Sequence, residues 1–222
     1  MQILSNKIEF PDVSQAHESG ILAFGGDLST ERLLLAYNSG IFPWYEECEP
    51  ITWYAPEYRM VLPINEYKPK KSVRNLINRN LFNCSISQNF EQVIRNCQEI
   101  KRNGQNGTWI TDEIIEAYSN LHKIGKALSV EVWQDNELVG GLYGIVVGRI
   151  FCGESMFSKV SNASKAALVF LCQQFNLELV DCQIHSEHLE SMGAKLIDSK
   201  IFYNLLHNQQ YTAHGLQKIL RY

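Results

Sequence analysis

LVGGLYGIVVGRIFCGESMFS (residues 138–158), NASKAALVFLC (162–172) and LVDCQ (179–183) follow one another in the second half of the chain. Two apolar runs meet at the tight turn Gly148-Arg149 and pass into a polar knot around Gly153, Glu154 and Ser155. A segment with Ala and Leu on one side follows, then a third apolar run that ends on Asp181-Cys182-Gln183. This order predicts strand, strand, helix, strand. Ligands in open α/β sheets collect beyond the carboxyl ends of the strands. Glu154 lies in the knot and Asp181 ends the next strand. If the two strands are adjacent, both carboxylates point into one crevice.

Outward from this stretch, Ser129 to Gln134 alternates polar and apolar, and Asp135-Asn136 is a hairpin turn ahead of a strand from Glu137. Downstream, a short helix at Glu187–Met192 precedes a strand at Lys195–Ile197 and a helix at Ile201–Asn208. A meander followed by a β-α-β crossover resembles the acetyltransferase fold. Upstream, Asp27 or Ser29 can cap a helix from Thr30 to Asn38, with Leu33, Leu34 and Tyr37 facing a core. Gly40 and Pro43 stop it. Short strands are expected at Ile51–Tyr54 and Arg59–Leu62, and a loop at Gly104–Gly107. The expected architecture is α+β: a small mixed N-terminal domain over residues 1–62, and over 63–222 an acetyltransferase-like (GNAT-type) mixed sheet with flanking helices.

The net charge of -4 and pI near 5.9 argue against a protein that grips nucleic acid through bulk charge. One segment is basic: Lys68, Lys70, Lys71, Arg74 and Arg79 surround Val73, Leu76 and Ile77 on an amphipathic helix from Ser72. It is either a solvated face or a contact for a nucleic-acid backbone. The six cysteines include no CxxC pair, which disfavours a zinc ribbon or a redox pair. The N-terminus lacks the charged and apolar regions of a signal peptide, and no apolar run approaches a bilayer span. A soluble cytoplasmic protein is expected.

Several chemistries compete at the knot. Ser155 or Ser158 as a nucleophile needs a base such as His185 or His188, yet no GxSxG elbow is present. Glu154 with Asp181 lacks a third metal ligand, so no metal is expected. Glu154 could instead be a structural ion pair with Arg149 or Lys165. A coenzyme A pyrophosphate needs glycine backbone N–H groups at the start of the central helix. Lys159 to Lys165 (KVSNASK) contains no glycine, which counts against a coenzyme A-dependent N-acyltransferase, the alternative for this fold.

Longer runs carry a resemblance to a known family. They are GILAFGGDLSTERLLLAYNSGIFPWY (20–45), GTWIT (107–111), SVEVW (129–133), LVGGLYG (138–144), FCGESMFS (151–158), NASKAAL (162–168), DCQ (181–183) and MGA (192–194). In this order they resemble the leucyl/phenylalanyl-tRNA–protein transferases of bacteria, colinearly from about Phe10 to Leu206. The resemblance implies an enzyme that moves Leu or Phe, and also Met, from aminoacyl-tRNA to the α-amine of proteins beginning with Arg or Lys. The product is a destabilising N-terminus for degradation, and no cofactor is implied. The implied side-chain pocket is Trp44, Trp109, Leu142, Met156, Leu168, Leu171 and Val180, and the implied catalytic groups are Glu154, Asp181 and Gln183. Lys68, Lys70, Lys71 and Arg74 become candidates for tRNA contact. Leu142 and Leu171 stand where the family often has Met and Phe, changes that keep the wall apolar.

Overall fold

The computed structural model describes residues 2–100 and 108–210 of the 222. The loop expected at Gly104–Gly107 lies outside the described residues. The elements run β1 (Gln2–Leu4), β2 (Ile21–Gly25), α1 (Thr30–Asn38), β3 (Phe42–Pro43), β4 (Thr52–Tyr54) and β5 (Tyr58–Pro63). They continue α2 (Lys71–Asn78), β6 (Asn83–Ile86), α3 (Phe90–Glu99), α4 (Asp112–Lys123), β7 (Ala127–Gln134), β8 (Glu137–Val147) and β9 (Ile150–Ser158). The last are α5 (Ala163–Gln174), β10 (Leu179–Gln183), α6 (Glu187–Ser191), β11 (Lys195–Asp198) and α7 (Ser199–Gln210).

Local chemistry sets several of these boundaries. Ser29 accepts the Arg32 N–H at the start of α1, and Gly40 follows its end at φ 74°. Thr111 accepts the Ile114 N–H, and Asp112 and Glu113 suit the positive end of α4. Asn162 precedes α5 in the left-handed region without a side-chain cap. Ser158, at the end of β9, supplies the cap by accepting the Ser164 N–H at 2.8 Å.

The fold is α+β, with two mixed sheets. A small sheet has the order β1-β2-β4-β3, and a seven-stranded sheet the order β11-β5-β10-β9-β8-β7-β6. Strands β7, β8 and β9 form the antiparallel meander, and α5 carries the chain across to β10, parallel to β9. The boundary expected after residue 62 falls inside β5, which pairs with β10 on one side and β11 on the other. A strand from the N-terminal half is thus threaded into the larger sheet.

Both faces of that sheet are covered. Tyr143, Ile145, Ile150 and Cys152 join a core with residues of α1, α3, α4 and α7. Leu142, Phe151, Val180 and Met60 join a second core against the inner side of α5. Two register shifts interrupt the sheet beside each other. Gly144 pairs with Gly153 while Tyr143 pairs with Ser155, so Glu154 is an extra, unpaired residue of β9. Asp181 pairs with Val61 while Gln183 pairs with Met60, so Cys182 is the extra residue of β10. The strand expected from Arg149 to Met156 is β9, and the polar knot is its bulged part.

A methyl group at Gly144 would stand 2.1 Å from the Cys152 carbonyl oxygen. The two strands can approach this closely across the bulge only at glycine. Gly144→Ala is expected to lower the urea unfolding free energy by at least ~1–3 kcal/mol. An unchanged midpoint would contradict this account of the bulge.

Candidate active site

Pairing of β9 with β10 reaches Cys152 and Asp181, and the two bulges lie just beyond it. There Gln183 Nε2 donates to Glu154 Oε1 at 2.8 Å. Tyr37 from α1 lies 2.7 Å from Oε1, and Tyr118 from α4 lies 3.2 Å from Oε2. Burial pushes the Glu154 carboxyl up to about 7, outweighing the hydrogen bonds from Tyr37, Tyr118 and Gln183 that favour its charged form. The same burial holds both phenols well above the usual tyrosine range.

Asp181 behaves differently. It is fully buried and meets Arg59 through two bonds, Nε to Oδ1 at 2.8 Å and Nη2 to Oδ2 at 2.7 Å. Its Oδ1 also accepts the backbone N–H of Gln183 at 2.9 Å. That bond steadies Gln183 at φ 64°, a left-handed conformation that costs a side-chain-bearing residue energy. Arg59 in turn donates to the Gly40 carbonyl at 3.0 Å and lies over the rings of Phe42 and Phe202. The two carboxylates expected to share a crevice thus divide: Glu154 faces it, and Asp181 anchors its floor from beneath.

A cavity of about 590 Å³ opens at this point. Glu154 and Gln183 form a polar end, and Leu142, Met156, Leu168, Val180 and Met192 supply apolar wall. The structure therefore brings together four of the seven expected pocket residues with two of the three expected polar groups. Leu171 is fully buried in the core one turn beyond Leu168, outside the lining. Trp44 is 40% exposed against Tyr54, with ring centroids 5.6 Å apart, and Trp109 packs on the opposite core. Lys68, Lys70, Lys71 and Arg74 are all exposed around α2, and Val73 is its buried residue. Lys68, Lys70 and Lys165 border a groove of about 280 Å³ that meets the cavity at Met192.

A wider depression of about 750 Å³ lies over α3, but Arg95 on its rim is paired with Glu91, and the reacting groups lie elsewhere. The alternative partners of Glu154 are engaged as well: Arg149 reaches Asn176, and Lys165 reaches Asn162. Ser158 is taken up by α5, and His185 contacts Glu190 at 3.2 Å. Among the described residues, no cluster of three or more His, Cys, Asp or Glu could hold a metal ion. Arg59, Tyr37 and Tyr118 were not singled out for chemistry from the sequence. A lone Arg beside the apolar run Met60-Val61-Leu62 was the available signal for the first, because a charge inside a buried strand demands a partner.

An apolar slot closing on a carboxyl that exchanges its proton near neutrality suits an acyl-group transferase. The family model for leucyl/phenylalanyl-tRNA protein transferase matches residues 61–207, and that for the N-terminal domain of the same enzyme matches residues 26–57. A leucyl/phenylalanyl-tRNA–protein transferase of Flavobacterium johnsoniae is 56% identical, over 93% of this chain and 99% of its own length. One of Flavobacterium psychrophilum is 51% identical over the same shares. The chain belongs to the leucyl/phenylalanyl-tRNA–protein transferase family. A solved structure of a functionally unknown conserved protein from Staphylococcus epidermidis aligns with 80% of this chain and 68% of its own, at TM-score 0.45 and 8% identity. That likeness is too slight to bear on the site.

Two stability measurements test the geometry. Arg59→Leu strands the Asp181 carboxylate and is expected to cost about 3–5 kcal/mol in urea unfolding; a cost under ~1 kcal/mol would contradict the anchoring role. Glu154 has a folded pKa above its ordinary value, so its protonation stabilises the fold below the unfolded pKa. That contribution fades as pH rises through about 7. Glu154→Gln, a stand-in for the protonated acid, is expected to be more stable than wild type at pH 8.5, with the gap shrinking by pH 5.5. A gap that does not depend on pH would contradict the raised pKa.

Proposed function

We propose that this protein transfers Leu or Phe, and also Met, from aminoacyl-tRNA to the α-amine of proteins that begin with Arg or Lys. The product carries a destabilising N-terminus that marks it for degradation, and the reaction takes place in the cytoplasm. Family membership over nearly the whole chain is the observation that carries this reading. The cavity supports it: its apolar wall suits a medium-sized hydrophobic side chain, and its polar end suits an ester meeting an amine. A hydrophobic slot separates neighbours by a methylene only weakly, so Leu, Phe and Met can share it.

In this reading Glu154 and Gln183 touch the reacting groups. The aminoacyl ester is already activated, so the enzyme's main task is to hold it against the amine. Asp181 acts through its hold on the Gln183 backbone. Leu142, Met156, Leu168 and Val180 receive the side chain and Leu171 backs the wall from the core, while Trp44 and Trp109 stand outside the lining. No helix of the described residues is long and apolar enough to cross a membrane.

Lys68, Lys70, Lys71 and Arg74 contact the tRNA backbone in this proposal, giving salt-sensitive binding with little base reading. Labelled Leu-tRNA incubated with a peptide beginning with Arg should yield transfer, and Glu154→Ala or Gln183→Ala should slow it by ~10²-fold or more. No transfer by wild type would overturn the function, and full transfer by both variants would overturn the site. Charge reversal at Lys70, Lys71 and Arg74 together is expected to raise KM for aminoacyl-tRNA at least ~10-fold at 0.1 M salt. An unchanged KM would remove the basic helix from the tRNA site.

A further inference from the structure

Four oxygens of Glu154, Tyr37 and Tyr118 form a closed circuit. Tyr37 lies 2.7 Å from Glu154 Oε1, Tyr118 lies 3.2 Å from Oε2, and the two phenolic oxygens are 2.5 Å apart. Both tyrosines are buried and come from separate helices, α1 and α4, so neither hydroxyl turns to bulk water.

Counting hydrogens decides what this circuit holds. It has three oxygen–oxygen contacts, and the two phenols supply two hydrogens. With Glu154 ionised, one contact has lone pairs on both sides. With Glu154 protonated on Oε2, the hydrogens run one way round: Oε2–H to Tyr118, Tyr118 to Tyr37, and Tyr37 to Oε1. Oε1 is then a carbonyl oxygen, and its second lone pair accepts from Gln183 Nε2 at 2.8 Å. Every contact is satisfied only when one further proton is present.

We propose that the Glu154–Tyr37–Tyr118 circuit is the proton acceptor of the transfer step, with Tyr37 and Tyr118 as positioning residues. This rests on the aminoacyl-transfer reading above. The incoming α-ammonium gives one proton to Glu154, which closes the circuit. The freed nitrogen lone pair bonds to the ester carbonyl carbon, and the bond from that carbon to the ribose oxygen breaks. The ribose oxygen takes the second excess proton of the nitrogen, leaving an amide and a free hydroxyl. Glu154 then returns its proton to solvent through the cavity it lines.

The surroundings agree. Burial keeps both phenols protonated, so each brings one hydrogen to the count. Burial also brings the Glu154 carboxyl to about 7, close to the α-amine range of about 7.7–8.0. The other groups facing it are Asp181 on β10, neutralised by Arg59 from β5, with Cys152 on β9 and Tyr143 on β8. Burial raises the Cys152 thiol well above its usual range, so it stays neutral.

The test is single-turnover transfer from Leu-tRNA to an Arg-initiated peptide between pH 6 and 9. Wild type is compared with Glu154→Gln, Tyr118→Phe and Tyr37→Phe, each checked by melting temperature. A glutamine fills the circuit, donating to Tyr118 and accepting from Tyr37, but takes up no proton. Glu154→Gln should keep the wild-type KM for aminoacyl-tRNA, transfer ~10²-fold slower at pH 7, and recover as pH passes the acceptor amine's own pKa. Tyr118→Phe leaves Oε2 without its partner and should displace the acidic limb of the rate profile; Tyr37→Phe should do the same if Tyr118→Phe fails to fold. A Glu154→Gln profile matching wild type would overturn the proton role. An acidic limb that stays where it is in both tyrosine variants would overturn the circuit. Wild type inert at every pH would count against aminoacyl transfer itself.

Discussion

Arg59 and Asp181 form the ion pair on which the site depends. Both side chains are essentially without solvent contact, unlike those of the other ion pairs among the described residues. Taking two charges out of water costs several kcal/mol per ion, and only good geometry repays it. Here the geometry is bidentate, with a carbonyl for a further guanidinium hydrogen and an aromatic ring on each of two helices or strands beside it. Such a pair is poor evidence of net stability. Its consequence is positional: it joins the segment Gly40–Phe42, the strand β5, the end of β10 and the helix α7 at one point.

From that point the constraint passes to the reacting groups. The remaining capacity of the Asp181 carboxylate goes to the Gln183 N–H, and the left-handed turn at Gln183 aims its amide at Glu154. The bulge at Glu154 aims its carboxyl back, and the tyrosines receive it from helices packed on the same face. Two neighbouring strands each gain one residue at the same level, and the pairing of β9 with β10 ends there, at Cys152 and Asp181. The cavity is the direct product of those two insertions.

Much of this was legible locally. The cap at Ser29, the stop at Gly40, the long strands of the meander and the crossover helix follow from residue types and spacing. Leu142, Met156, Leu168 and Val180 read as apolar faces, and the resemblance grouped them into one wall. What escaped was long-range. A bulge depends on Gly144 in the partner strand, so the strand through Gly153-Glu154-Ser155 was legible but its bulge was not. The placement of β5 between β10 and β11 depends on strands more than a hundred residues away, which no local composition shift announces. Tyr37 read correctly as a core residue, but its hydroxyl meets a carboxyl 117 positions along the chain. Trp44 and Trp109 were grouped with the wall through the resemblance and lie outside the lining of the cavity.

The central claim is spatial: the slot between the sheet and α5 holds the aminoacyl side chain and presents its ester to Glu154 and Gln183. A crystal structure with a non-hydrolysable phenylalanyl-adenosine amide tests it directly. The account predicts the phenyl ring among Leu142, Met156, Leu168 and Val180, with the carbonyl carbon within reach of a nitrogen placed against Glu154. A phenyl ring bound away from that slot, with Glu154 and Gln183 untouched, would contradict it.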